Sequence, residues 1–379
     1  MTAKPSIRIG IFGSYGGLNL GDEAILHSML RQIRESVEAE LTVFTRDVED
    51  TERRHGVRGL APANLSRDEA RAEIQKLDLL ILGGGGILYD RDAELYLREV
   101  KLAHEVGVPV AVYAISAGPL KKQAMRDLVR DALGPVALIT VRDKRARQLL
   151  EEIGIEKEIT VTADPALLLE PEPLPEGAFE AEGLPTDVPI VGFSVREPGP
   201  AAPDIDVDHY HSLIANAADY MVSRLNAYIV FVPMERRKMD MQQSHAVVSL
   251  MKNADRATVL KGDYSAGQLL ALVGRMKLAV GMRLHFLIFA ALQRVPFVPL
   301  PYATKVAGFI EEMGMEMPPL HDVNAGVLIA AIDRSWDYRK TLEKRIDEHL
   351  PRMQESARTT HRLLLDLIDR IEPEARKEA

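Results

Sequence analysis

"IRIGIFGSYGGLNLGDEAIL", residues 7–26, decides how the chain is read. An apolar run, Ile7–Phe12, ends in a glycine-rich turn and passes into a helical pattern over residues 23–36. Strand, glycine turn and helix in that order open a doubly wound parallel sheet, and usually place a phosphate on the helix N-terminus. Here the helix would open with Asp22 and Glu23, where a P-loop has Lys and Ser or Thr, and two carboxylates repel a phosphate. Gly13 is followed by Ser14, Tyr15 and Gly16, so the dinucleotide pattern G-x-G-x-x-G is absent. Gly16 and Gly21 have the outer spacing of a P-loop without its Lys and Ser/Thr. In the plainer reading, Asn19 or Asp22 caps the helix and the glycines only make a tight turn. Four glycines between Gly13 and Gly21 also suit a backbone-lined surface for a polar ligand, with Asn19 and Asp22 bonding its hydroxyl groups.

The same grammar continues outward. The runs LTVFT, LDLLILG, VPVAVYAIS, ALITVRD and EITVTAD alternate with amphipathic stretches such as residues 93–106 and 122–133. That is the pattern of a parallel α/β sheet. Residues 170–189, EPEPLPEGAFEAEGLPTDVP, break the rhythm with proline and acid and read as a linker. The alternation then restarts with VPIVGFSVR, AYIVFVPM, ATVL, KLAVGM and PFVPL, each followed by a helical stretch. The expectation is two Rossmann-like domains, 1–170 and 190–335, joined by a linker at 171–189, with a helical tail at 336–379 packing across them. Ligands are expected in a cleft between the domains, beyond the carboxyl ends of the strands.

Composition narrows the function classes. A net charge of −9 argues against a general nucleic-acid or anionic-membrane surface, while leaving room for a local basic pocket and for peripheral membrane contact. With no cysteine, disulfides, thiolate metal sites and cysteine nucleophiles are excluded. The N-terminal residues lack the apolar core of a signal peptide, and no stretch approaches the roughly 18 apolar residues of a spanning helix. These features imply a cytoplasmic enzyme or binding protein.

Several strand ends carry candidate chemistry. "LILGGGGILYD" supplies a second strand–glycine turn, in which Gly84, Gly85 and Gly86 let the backbone pass close to a ligand. In "VRDKRARQLL", Asp143 is a helix cap and Arg142 faces the expected cleft; Arg196 in "VGFSVRE" stands at the corresponding place in the second half. "AVGMRLHFLIFAALQRVPFVPLPYATK" is the most informative segment. Arg283 and His285 follow a strand directly, at the mouth of an apolar and therefore buried helix, and Lys305 follows the next strand. "PDIDVDHYH", with Asp204, Asp206, Asp208, His209 and His211, lacks the spacing of calcium or zinc sites and reads as acidic residues opening a helix. No metal and no G-x-S-x-G elbow is expected.

Taken together, "GLNLGDEAIL", "LGGGGIL", "SAGP", "VRD", "ADPALLL", "GMRLH…IFAA" and "PYATK" resemble the polysaccharide pyruvyltransferases over nearly the whole chain, most of all bacterial members acting on cell-wall polymers. The resemblance implies a GT-B-like fold and transfer of a pyruvyl group from phosphoenolpyruvate to two hydroxyls of a free or lipid-linked saccharide, with no cofactor. It also implies that Arg283, Leu284 and His285 match the family's "RLH" donor-binding stretch, that Lys305 matches its lysine beyond, and that Arg142 or Arg196 matches a further donor arginine. His285 is then the acid/base. Gly16, Gly17, Asn19, Gly21, Asp22, Gly84, Gly85 and Gly86 are left for the acceptor. The chain departs from the family at "GSYGGLN", where many relatives have "GYYGFGN", and the departure bears on acceptor identity. Two other functions share the architecture: a nucleotide-sugar glycosyltransferase and a non-catalytic ligand-binding relative.

Overall fold

A computed structural model describes residues 6–17, 19–197, 206–235 and 239–375. The chain divides into two compact units: Met1–Gly17 with Asp22–Leu169 and Met353–Ala379, and Leu18–Gly21 with Glu170–Arg352.

The first unit is built on a sheet of β1 (Ile7–Phe12), β2 (Ala39–Phe44), β3 (Arg58–Leu60), β4 (Leu79–Leu82), β5 (Gly85–Leu88), β6 (Val110–Ala117), β7 (Leu138–Val141) and β8 (Thr160–Val161). The strands are parallel and ordered β3-β2-β1-β4-β6-β7-β8, with β5 beside β6. Central strands carry unbroken apolar runs because helices cover both faces; all four residues of β4 are buried. The order reverses between β1 and β4, so their carboxyl ends flank the place where such sheets bind ligands.

The second unit repeats the plan with β9 (Ile190–Ser194), β10 (Tyr228–Phe231), β11 (Ala257–Val259), β12 (Leu278–Gly281) and β13 (Phe297–Pro299). Its strands are parallel and ordered β11-β10-β9-β12-β13. The switch point lies between β9 and β12, where Ser194 stands opposite Gly281. The helix Leu284–Leu292 that follows β12 is buried almost throughout, in keeping with its apolar sequence.

Two expectations are corrected. Residues 171–189 are not a free linker. The Glu172 N–H donates to the Gly267 carbonyl at 3.0 Å, and the Glu182 carboxylate accepts from the Lys261 and Gly262 amides at 3.0 and 2.6 Å. An acid satisfied by backbone amides ties the segment to the second unit. The expected start of the tail, residue 336, falls inside the helix Ala325–Asp337; the last helix is Arg339–Ala375. Asp143 does cap Lys144–Glu152, accepting from Ala146 N–H at 2.8 Å, and Asp206 caps Val207–Leu225. Asp204 lies outside the described residues. Among the described residues no helix is long and apolar enough to cross a membrane, and no group of three or more His, Asp or Glu is arranged to hold a metal ion.

Candidate functional site

Arg196 and Arg283 each stand two residues beyond a switch-point strand, β9 and β12, and Lys305 lies in the first turn of Thr304–Glu312 after β13. Arg283 occupies the cap position of Leu284–Leu292, yet its guanidinium does not cap. It makes a two-pronged pair with Asp240, Nε to Oδ2 at 2.9 Å and Nη2 to Oδ1 at 2.5 Å, and reaches Glu235 at 3.4 Å. Asp240 is fully buried and also accepts from the Met234 and Glu235 amides at 3.1 and 3.0 Å. Burial disfavours the Arg283 charge, but Asp240 outweighs it and raises the guanidinium pKa. Arg283 is thus largely committed to holding its own turn.

Arg196 and Lys305 are placed differently. Both approach Tyr302, which is 6% exposed. Arg196 Nη1 donates to the Tyr302 hydroxyl at 2.8 Å, with the guanidinium carbon 4.7 Å from the ring centroid; Lys305 Nζ lies 5.9 Å from that centroid. The Arg196 backbone is held in turn, its carbonyl 2.8 Å from the buried Tyr210 hydroxyl. Among the described residues neither Arg196 nor Lys305 has a carboxylate partner. Burial works against a phenolate, but Lys305, then Arg196 and Arg283, outweigh it and lower the Tyr302 pKa to about 8. A half-buried arginine and lysine without carboxylate partners among the described residues have the chemistry to hold an oxyanion.

His285 is half-buried in the first turn of the same helix as Leu284. Its ring sits directly on Gly21: a Cβ built there would lie 1.8 Å from Nδ1. The short segment carrying Gly21 is fastened to this unit by Leu20 N–H to the Met234 carbonyl at 2.8 Å and by a bridge between Asn19 and Glu235. Asn19 Oδ1 accepts from Gly21 N–H at 3.1 Å. The glycine of the opening motif is therefore a seat for the histidine. Leu284 is buried.

The remaining candidates lie in the first unit, and the structure divides their roles. Gly16 has φ +68°, and a Cβ there would meet Thr45 Oγ1 at 2.1 Å, so the residue serves a tight turn. Its N–H donates to Glu23 at 2.9 Å, and the other oxygen of Glu23 lies 2.9 Å from His55 Nε2; both side chains are buried. Gly84 is buried against Ile25, 2.9 Å from its absent Cβ, so packing alone calls for a glycine there. Gly85, at φ +101°, begins β5 rather than a turn, with Asp22 3.4 Å from its missing Cβ. Gly86 is exposed, and the Arg142 guanidinium lies 3.7 Å from where its Cβ would be. Gly17 leaves room for Arg46, whose Nη1 would be 2.8 Å from a Cβ. Arg142 is itself buried in a 2.5 Å pair with Asp164. Of the two arginines proposed for one role, Arg196 is grouped with Lys305 and Tyr302, and Arg142 is not.

Sequence reasoning missed Tyr302, Asp240 and His55, and read Glu23 only as a carboxylate opposed to phosphate, not as a tie between Gly16 and His55. Tyr302 stands inside the quoted "PYATK" and could have been found as an aromatic three residues before a candidate lysine. Asp240 gives no local signal, because its partner is 43 residues away.

A family model for polysaccharide pyruvyl transferase matches residues 19–304. Among curated proteins none matches this sequence. Similar solved structures include the UDP-GlcNAc 2-epimerase from Methanocaldococcus jannaschii, at 12% identity over 95% of this chain and 100% of that one, with a TM-score of 0.65. The UDP-GlcNAc 2-epimerase from Neisseria meningitidis, bound to UDP-GlcNAc, is 11% identical over 95% and 99%, with a TM-score of 0.63. A glycosyltransferase from Rickettsia africae is 11% identical over 97% and 98%, with a TM-score of 0.61. These likenesses show an α/β fold of the GT-B type.

Proposed function

The chain belongs to the polysaccharide pyruvyl transferase family, a transferase family, and from that premise we propose that it moves a pyruvyl group from phosphoenolpyruvate onto two hydroxyls of a saccharide precursor, forming a ketal. The observation that carries the proposal is the pairing of Arg196 and Lys305 around Tyr302, without carboxylate partners among the described residues, at the switch point that also presents His285. Phosphoenolpyruvate concentrates about three negative charges and needs cationic donors to replace its hydration. Arg196 and Lys305 supply them, with the field of Arg283 behind. The carboxylate of Asp22 and the amide of Asn19 suit hydroxyl groups better than phosphate, which supports a sugar rather than the donor at this turn.

In this reaction a proton is added to the methylene carbon of the donor, which makes C2 electrophilic. A sugar hydroxyl adds to C2 and gives up its proton. The C2–O bond to phosphate then breaks, and the second hydroxyl closes the ring with loss of its own proton. His285 suits both proton roles, because imidazole gives and takes protons near neutral pH. The reaction as written calls on no cofactor.

Thermal unfolding with phosphoenolpyruvate, beside a panel of nucleotide sugars, tests the donor. A ligand at a hundredfold excess over Kd stabilises the folded form by about 2.7 kcal/mol. Stabilisation by phosphoenolpyruvate, lost in Arg196→Ala and Lys305→Ala, is expected, followed by saccharide-dependent release of phosphate. Stabilisation by a nucleotide sugar alone would replace this reading with a glycosyltransferase. Donor binding with no phosphate release on any saccharide would favour a non-catalytic relative.

A further inference from the structure

Tyr302 is a buried phenol between two cations, and burying uncompensated charge is costly. Arg283 has Asp240 and Glu235 to balance it, whereas Arg196 and Lys305 have the Tyr302 oxygen and ring. We propose that Tyr302 is a ligand-binding group that exchanges its own charge for the ligand's: before binding its oxygen partners Arg196 and its ring lies beside Lys305, and when a small oxyanion takes those cations the phenol takes up a proton and donates its O–H to the anion.

The charged groups acting on Tyr302 are Arg196 from the end of β9, Arg283 from the end of β12 and Lys305 from the helix after β13; Arg283 is itself paired with Asp240 and Glu235, which follow β10. With its pKa lowered to about 8, a minority of molecules hold phenolate at neutral pH and a majority do at higher pH. An oxyanion cancels the cationic field that stabilises phenolate, so the pKa rises on binding. One proton passes from solvent to the phenolate oxygen for each anion bound to that form; no other bond changes. The inference rests on the oxyanion reading of this site and not on pyruvyl transfer.

The test uses inorganic phosphate and phosphoenolpyruvate as probes on the whole protein and on Tyr302→Phe, from neutral pH upward. Wild-type affinity is expected to fall by up to about tenfold per pH unit above about 8. Tyr302→Phe is expected to bind about fivefold more weakly at neutral pH, the worth of one hydrogen bond, and to lose that pH dependence. Equal affinity at neutral pH, or the same slope in both proteins, would overturn the proposal. Should Tyr302→Phe fail to fold, the near-ultraviolet phenolate absorbance of the wild type decides. Its loss on adding phosphate at mildly alkaline pH is expected, and an unchanged signal overturns the proposal. A phosphate response without phosphoenolpyruvate-dependent transfer would leave Tyr302's role standing and remove the pyruvyl reading; transfer without the response would do the reverse.

Discussion

Arg283 and Arg196 stand at equivalent places on neighbouring strands, and their surroundings give them different work. Arg283 is locked to a fully buried Asp240, and removing one member of such a pair strands the other. Arg283→Ala is therefore expected to lose about 3–5 kcal/mol of stability, read from the denaturant midpoint. Arg196→Ala removes a hydrogen bond and a cation–π contact and is expected to cost about 1–2 kcal/mol while markedly weakening oxyanion binding. Equal stability losses in the two variants would contradict this division. His285→Ala is expected to lower turnover by about 10²–10⁴ while donor affinity stays within a few-fold; turnover close to wild type would remove the histidine from the chemistry. All three residues were legible in the sequence as polar groups following apolar strands. Their separate tasks were not, because Asp240, Glu235 and Tyr302 come from other strand ends.

At the scale of elements, the glycine turn after β1 does structural work on both sides. Gly21→Ala places a methyl 1.8 Å from His285 Nδ1, so the imidazole must shift. Misplacing a reacting group by about 1 Å can cost roughly a hundredfold in rate. We expect Gly21→Ala to lower turnover at least tenfold with donor affinity little changed; loss of donor affinity at unchanged turnover would place Gly21 elsewhere in the mechanism. Glu23→Ala orphans the Gly16 amide and frees the buried His55, and is expected to cost about 1–3 kcal/mol in chemical denaturation. The acidic start of this helix, which from the sequence alone argued against a phosphate, is thus partly explained by tertiary packing: Glu23 is a tie between the Gly16 amide and His55. Strand β5 escaped sequence reading because two of its four residues are glycines, whose weak strand preference points to a turn.

For the whole molecule, the chain returns at its end to the unit in which it began. Residues from Met353 belong to the first unit, where Ala357, Leu364 and Ile368 are buried, Thr360 donates to Thr162 at 2.7 Å and Gln354 to the Leu167 carbonyl at 3.0 Å. Each fully buried Leu or Ile contributes about 1.5–3 kcal/mol against a total stability of about 5–15 kcal/mol. Ending the chain at residue 352 is expected to unfold the first unit, seen as rapid proteolysis within residues 6–169; a protected fragment would contradict it. In the same segment His361, 2.8 Å from Ser36, has its pKa lowered by burial. The unfolded chain then binds the proton more readily, so stability is full above about pH 6.5 and declines as pH falls below it. His361→Gln should flatten that acid limb of the stability profile.

Periodicity and glycine placement alone determined the alternation of strand and helix, the two sheets, and the carboxyl strand ends at which polar residues gather. Those are local properties: burial on both faces writes an unbroken apolar run, and a strand-to-helix turn calls for small residues. Tertiary structure alone decided that Arg283 is held by Asp240, that Gly21 seats His285, that Glu23 ties down Gly16, and that Tyr302 lies between Arg196 and Lys305. A charged side chain is defined by what stands opposite it, and in a parallel sheet that partner arrives from a strand tens of residues away.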